Sequence, residues 1–369
     1  MASTTLAIGA MAPSGSEVCN LGDEHPSRPG LVLVHIDHDG EIVTSADVQP
    51  GFLHRGVEKL FEVRDYRSVL MLADRHDWQA SFLGELCIAL TCEEALGLVA
   101  PPRATQLRVI LAELARAHSH AAFLTVIGTL SEDGSIGEVL RDFRDQIREL
   151  FADISGNRVH PMLNRLGGVA SDADDAWLAR VATLATRAAD ISSVVTAVIA
   201  EVPGLEVGVL SGDDVDAFGL SGPVSAASGR LIDDRTTSPL YAALTPPRLP
   251  DVTTGDARAR LLALASDLAH SGTLLREALD DLPDGPVAVR LSKIIKVPEQ
   301  TLYRTIAAPW GTAGCYLVSR GDRTPWRLGL RTPTFANCSA LSRALVGAPV
   351  SAVGPVVASL GYGIGDLDR

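Results

Sequence analysis

Lysine is nearly absent from this 369-residue chain, which carries Lys59, Lys293 and Lys296 and draws the rest of its 32 basic side chains from arginine. Against 45 acidic residues these leave a net charge of −13, so a surface for nucleic acid or another polyanion is excluded. Cysteine is scarce as well. The five thiols, Cys19, Cys87, Cys92, Cys315 and Cys338, are odd in number and include no Cys-x-x-Cys pair, which argues against a disulfide framework and a thiolate-held metal. No run of about 18 or more uninterrupted apolar residues occurs, and the start Met1-Ala-Ser-Thr-Thr lacks the basic flank of a secretion signal. A soluble intracellular chain without a spanning helix is expected. Ser-His-Asp, Walker and Cys/His zinc patterns are also missing, so an ordinary hydrolase or kinase has little support. What is present is a 46% hydrophobic composition, enough for a large core and too much for a disordered chain.

Residues 1–28 are rich in Gly, Pro and Ser with little periodicity and read as a loosely held arm. In 29–50, Leu31 to Ile36 and Glu41 to Thr44 flank the turn chemistry of Asp37-His-Asp-Gly40, which predicts a β-hairpin. The remainder, 51–369, is predicted to be a helical bundle domain ending in a second hairpin and a buried C-terminus. Its helical stripes are Trp78, Phe82, Leu86, Ala89, ended by Pro101-Pro102; Ile136, Leu140, Phe143, Ile147, Leu150; Trp177 through Val198; and Leu261 through Leu279. Pro203-Gly204 stops the third, and 206–250 reads as a long loop with a task. Cys315 to Ser319 and Trp326 to Leu330 predict the second hairpin. The expected class is mainly α with small β regions (α+β).

Several polar residues stand where packing alone would not ask for them. Asp366, Asp368 and Arg369 follow the apolar stretch Ala352 to Leu360, so the acidic pair is expected inside with a cationic partner. Phe52-Leu-His-Arg-Gly56 and Asn157-Arg-Val-His160 set Arg55 and His160 beside turns, either as helix-end caps or facing an anionic or redox centre. His35 and His38 lack a third ligand and read as exposed turn histidines, while His118 and His120 are two apart on a predicted helix and form no zinc motif. Gly361-Tyr-Gly-Ile-Gly365 has neither strand nor helix around it for a phosphate loop.

Taken in order, these segments resemble the D (49-kDa) subunit family of NADH:quinone oxidoreductase, respiratory complex I. Gly22-Asp-Glu-His-Pro-Ser27 is similar to the family's Gly-Pro-Gln-His-Pro-Ser, and Gly51-Phe-Leu-His-Arg-Gly-Val-Glu-Lys59 to Gly-x-Leu-His-Arg-Gly-x-Glu-Lys. Asp74-Arg-His-Asp77 stands for Asp-Arg-Leu-Asp, and Gly365-Asp-Leu-Asp-Arg369 for the ending Gly-Glu-Val-Asp-Arg. Ser155 to His160, Arg165 to Gly168, Gly219 to Gly222 and Tyr316 to Ser319 fall between them in the expected order.

The resemblance implies a fold like the large subunit of nickel-iron hydrogenases, without the Cys-x-x-Cys pairs that soft nickel requires. It implies a quinone cavity shared with an iron-sulfur subunit carrying the terminal cluster, in a complex whose other peripheral and membrane subunits include those using NAD. The chain itself would hold no metal, flavin, NAD or cluster. His25, Pro29, Leu72 and Asp74 become quinone-cavity candidates, Arg55 and His160 cluster-proximal residues, and Asp368 and Arg369 buried terminal charges. The implied location is the cell membrane, peripheral and on the cytoplasmic side. Arginine-rich, lysine-poor composition suggests a GC-rich genome and menaquinone as acceptor. Two departures bear on chemistry: Pro29 and Leu72 replace the family's quinone-bonding histidine and tyrosine, and neither side chain donates a hydrogen bond. A paralogous scaffold subunit that has lost quinone chemistry is therefore the rival expectation.

Overall fold

Thr4-Thr-Leu-Ala-Ile8 is rich in strand-favouring residues and lies in strand β1 (Ala2–Gly9), not in a loose arm. In the computed structural model, which describes residues 2–369 apart from 10, 20, 22–27, 29 and 132–133, β1 pairs in parallel with β2 (Glu17–Cys19) and antiparallel with β3 (Leu31–His38). The glycines and prolines between these strands dilute the strand signal when the stretch is averaged. With β4 (Val43–Gln49) they make a four-stranded sheet of order β2-β1-β3-β4. Leu6 lies opposite Val34 and Ile8 opposite Val32, and all four are buried. The hairpin strands are longer than predicted, and the turn is closed by Asp39, whose Oδ1 accepts from the amides of Glu41 and Ile42.

Helices α1 (Val57–Glu62), α2 (Tyr66–Ala73), α3 (Ser81–Leu96), α4 (Pro102–Leu124), α5 (Ile127–Leu130) and α6 (Ser135–Ser155) follow. Trp78 precedes α3 instead of belonging to its stripe, and α3 ends at Gly97, whose φ of 62° no branched side chain would adopt comfortably. Pro102 does not stop a helix but opens α4, where its missing N–H costs nothing. Beyond the short pair β5 (Asn164–Arg165) and β6 (Gly168–Val169), Asp174 caps α7 (Asp175–Glu201) by accepting from the Trp177 amide at 2.8 Å. The predicted loop contains α8 (Gly212–Phe218) and α9 (Gly222–Ala226), then leads into α10 (Ala257–Asp280). Their brevity hides them from a periodicity count.

α10 packs against α7 and α4, and α6 packs against both of those, so the amphipathic stripes of α6, α7 and α10 meet around α4. α7 is long and apolar enough to cross a membrane by length and composition, yet Trp177, Val181, Leu184, Ala188 and Val195 are buried against these neighbours. At the C-terminal side the expected hairpin gains a third strand: β7 (Gln300–Ala308), β8 (Gly311–Ser319) and β9 (Arg327–Arg331). α11 (Pro333–Leu345), α12 (Val353–Ser359) and α13 (Ile364–Leu367) then carry the chain end into the interior.

The core contains buried charge as well as hydrocarbon. Arg108 holds Glu93 through two bonds of 2.9 and 2.6 Å. Elsewhere in the interior, Arg235 binds Asp233 and Asp267, each at 2.6 Å, beside Glu113 and Arg116. Such groups are held inside because each carboxylate has a guanidinium beside it.

Candidate functional site

The site is built around the turn that joins α2 to α3, Asp74-Arg-His-Asp-Trp78. α2 is started by Asp65, whose side chain accepts from the amides of Arg67 and Ser68, and this helix delivers Leu72 half-buried and Asp74 fully buried. Arg55, four residues past the turn glycine Gly51, extends back to the same place. Its Nη2 donates to the carbonyl of Arg75 at 2.9 Å and of His76 at 3.4 Å, and its guanidinium carbon lies 5.7 Å from the Trp78 ring centroid.

His160 reaches the same turn from the segment after α6. Asn157 fixes its backbone by accepting from the His160 amide at 2.9 Å, and the imidazole Nδ1 is 2.8 Å from Asp74 Oδ2 and 3.1 Å from the Asp74 carbonyl. The sequence suggested Arg55 and His160 as a pair, and the fold brings both onto residues 74–76. Arg75 adds a 2.7 Å bond to the Asp74 carboxylate, and the Met162 amide a further bond at 3.2 Å. Burial works against ionisation of Asp74, but the bonds from His160 and Met162 outweigh it and hold the carboxyl below its ordinary range.

Glu85, on α3, has the reverse balance. Burial and the neighbouring Asp74 push its carboxyl well above the ordinary value, while Oε2 accepts from the Asn164 amide at 2.7 Å. Sequence reading missed Glu85. Its one signal is an acid enclosed by apolar residues on both sides in Ser81-Phe-Leu-Gly-Glu-Leu-Cys87.

The chain end supplies the other wall. Asp368 is buried, as expected, but among the described residues its hydrogen-bond partners are not cationic: Oδ1 and Oδ2 accept from the amides of Gly51 and Leu53, each at 2.8 Å. Two amide dipoles replace the expected cation, and they fix the turn that leads to Arg55. Arg369 is only partly covered, pairs with Glu58 at 3.3 Å and lies over Phe335. Asp366 is bound by the hydroxyl of Thr334 and faces His76. The segment discarded as a phosphate loop thus ends in α13, a short helix that brings Asp366 inward.

Cavities flank this centre. One of about 510 Å³ lies between the Gly51 turn and the chain end, lined by His54, Glu58, Arg327, Phe335, Asp368 and Arg369. Another of about 250 Å³ is lined by Trp78, Ser81, His118, Arg158, Val159 and Pro161. His25 and Pro29 lie outside the described residues, but Gly30, which follows them, is buried directly against Ile364 of α13 with no room for a side chain. His35 and His38 are not free turn residues: they contact the hydroxyls of Thr5 and Thr4 at 2.7 and 3.3 Å. His120 is buried, with Nε2 donating to the Pro309 carbonyl at 2.8 Å.

This fold is similar to that of a chain in the membrane-bound sulfane sulfur reductase, an archaeal respiratory membrane complex. The two superpose with a TM-score of 0.86 at 29% identity, over 92% of this chain and 94% of that one. The sequence model for the respiratory-chain NADH dehydrogenase 49 Kd subunit matches residues 138–295 and 290–369. The second D-type subunit of NADH-quinone oxidoreductase in Salinispora arenicola is 40% identical over 365 residues, covering 95% of this chain and 94% of the relative. The first D-type subunit of the same enzyme in Streptomyces coelicolor is 38% identical over 379 residues, covering 99% and 98%. The chain belongs to the family of the respiratory-chain NADH dehydrogenase 49-kDa subunit.

Proposed function

We propose that this chain is a subunit of a membrane-attached NADH:quinone oxidoreductase and walls the quinone-reduction site beside the terminal iron-sulfur cluster of a partner subunit. The convergence of Arg55 and His160 on residues 74–76 carries this reading. A cation and an imidazole held on one turn favour reduction of a nearby electron carrier and link it to proton uptake. The chain itself would contribute walls, charge and protons, while NAD and the clusters reside in other peripheral subunits. Those partners would hold it against the cytoplasmic face of the membrane, where quinone reduction drives proton translocation. His25, Pro29, Leu72 and Asp74 would border the quinone, which the composition suggests is menaquinone.

The test is co-isolation from the native membrane. A complex carrying an iron-sulfur partner and catalysing inhibitor-sensitive quinone reduction is expected, with Arg55→Met lowering the midpoint potential of the terminal cluster. Leu72 and Pro29 favour the rival reading, a scaffold subunit that keeps the partner surface without quinone chemistry. Partner binding without quinone reduction would establish that reading instead. In an active complex, Pro29→His combined with Leu72→Tyr should lower the KM for quinone, since both restore hydrogen-bonding side chains.

A further inference from the structure

Two departures from the family's motifs meet in space. His76 stands where Asp-Arg-Leu-Asp has leucine, and Asp366 where Gly-Glu-Val-Asp-Arg has glutamate. Their side chains are both buried, and His76 Nε2 lies 3.4 Å from Asp366 Oδ1. The other ring nitrogen, Nδ1, donates to the Ala73 carbonyl at 2.7 Å. Both nitrogens therefore face acceptors, an arrangement fully satisfied only by the imidazolium form.

The surroundings are shaped for the ring. A Cβ on Gly84 of α3 would stand 2.7 Å from His76 Cε1, so a side chain at 84 would occupy the space the imidazole needs. The Thr334 hydroxyl binds the second oxygen of Asp366. Asp77, the next residue, is also buried and accepts from the amides of Gln79 and Ala80 at 3.1 and 3.4 Å. The titratable groups acting on the imidazole are Asp77 of its own turn and Asp366 from α13, with Arg55 on its backbone carbonyl, while Asp74 and Glu85 interact with each other. Leucine and glutamate in these two places would hold no such pair.

We propose that His76, Asp366 and Asp77 form a proton-holding unit that serves reduction of the acceptor in this chain, in place of the donors that Pro29 and Leu72 cannot be. This inference rests on the quinone-reductase reading above. A quinone takes up two electrons, supplied by NADH through the complex, and two protons. The unit supplies one of them and solvent the other: the His76 N–H breaks, one O–H of the quinol forms from that proton, and the neutral imidazole is reloaded from solvent. His76 is the donor in this step, and the Asp366 carboxylate positions its ring. Burial works against its charge, but Asp366 outweighs that and raises its pKa, while burial and Asp366 push Asp77 up to about 7.

The pH profile of quinone reduction by the intact purified complex tests this, with NADH as reductant and a short-chain quinone as the probe. His76→Gln should lower kcat about tenfold near pH 7 and abolish its alkaline fall, with KM for the quinone kept within about twofold. Asp366→Asn should move the alkaline fall about one unit toward acid. His76→Leu, which installs the family's own residue, should assemble normally and behave like His76→Gln, so that misfolding does not obscure the result. An unchanged kcat profile in both His76 variants, in a complex that reduces quinone, overturns this inference alone. An unsubstituted complex that cannot reduce quinone overturns the underlying reading and this inference with it.

Discussion

The imidazole of His160 lies 2.8 Å from the carboxylate of Asp74, across a sequence separation of 86 residues, and this contact joins the α2–α3 turn to the segment after α6. Asp74 is fully buried and its carboxyl is held low, so the pair stores stability as well as geometry.

Asp74→Ala removes the acceptor for His160, Arg75 and the Met162 amide and leaves Glu85 without its neighbour. A loss of about 3 kcal/mol is expected, the usual scale for breaking a buried charged pair. The sign with pH follows from a folded pKa below the unfolded value: the contribution is present above about pH 4 and disappears as the solution is acidified through the folded pKa. Thermal unfolding of the variant and the parent at pH 7 and pH 3 measures it. Equal differences at both values would contradict the assignment.

Asp77 carries the opposite sign. Burial and Asp366 raise its carboxyl to about 7, so its protonated form stabilises the fold below about pH 4, and that contribution drains away as pH rises through 7. Asp77→Asn keeps an oxygen for the Gln79 and Ala80 amides but cannot ionise. It should stabilise the chain at pH 8 by about 3 kcal/mol and have almost no effect at pH 4. A destabilised Asp77→Asn variant at pH 8 would show that the carboxylate is favoured inside after all.

Arg235 permits a comparison of buried with exposed charge. Arg235→Met leaves Asp233 and Asp267 without their 2.6 Å partners beside Glu113, and should cost about 3–5 kcal/mol. Arg230 pairs with Asp216 at 3.5 Å on the surface, and Arg230→Met should change stability by less than about 0.5 kcal/mol. Urea denaturation of both variants decides it, and comparable losses would mean that Arg235 is not the keystone of that cluster.

Much of this architecture was readable from periodicity, and the exceptions have a common cause. α6, α7 and α10 each keep a wet face, so their apolar stripes stand out. A helix is predicted around His118 and His120, but α4 is buried on nearly every side from Leu107 to Leu124, so its apolar residues form no single stripe to mark its extent. β1 and β7 depend on partners remote in sequence or hidden by polar alternation, which local composition does not weigh. Arg55, His160 and Asp366 were each visible as residues out of place, and His76 only as a change within the motif Asp74-Arg-His-Asp77. Their meeting at one turn was not, because it depends on the chain end folding back against α2 and α3, and no local pattern encodes that return.

Gly84 provides the sharpest check on that meeting. In an ordinary helix interior, replacing glycine by alanine stabilises by roughly 0.5–1 kcal/mol. Here a Cβ would stand 2.7 Å from His76 Cε1 and 2.9 Å from the Ala73 carbonyl oxygen, so α3 would have to move away from the turn or the imidazole would have to swing out. Gly84→Ala should therefore destabilise by about 2 kcal/mol, in the range of overpacked cores. Adding His76→Ala removes one of the two obstacles, and the pair should show a favourable coupling of about 1 kcal/mol in a double-mutant cycle. The backbone oxygen remains, so recovery is incomplete. Additive effects of the two substitutions would place the ring elsewhere, and a Gly84→Ala variant that melts above the parent would remove the close approach on which the His76–Asp366 pairing depends.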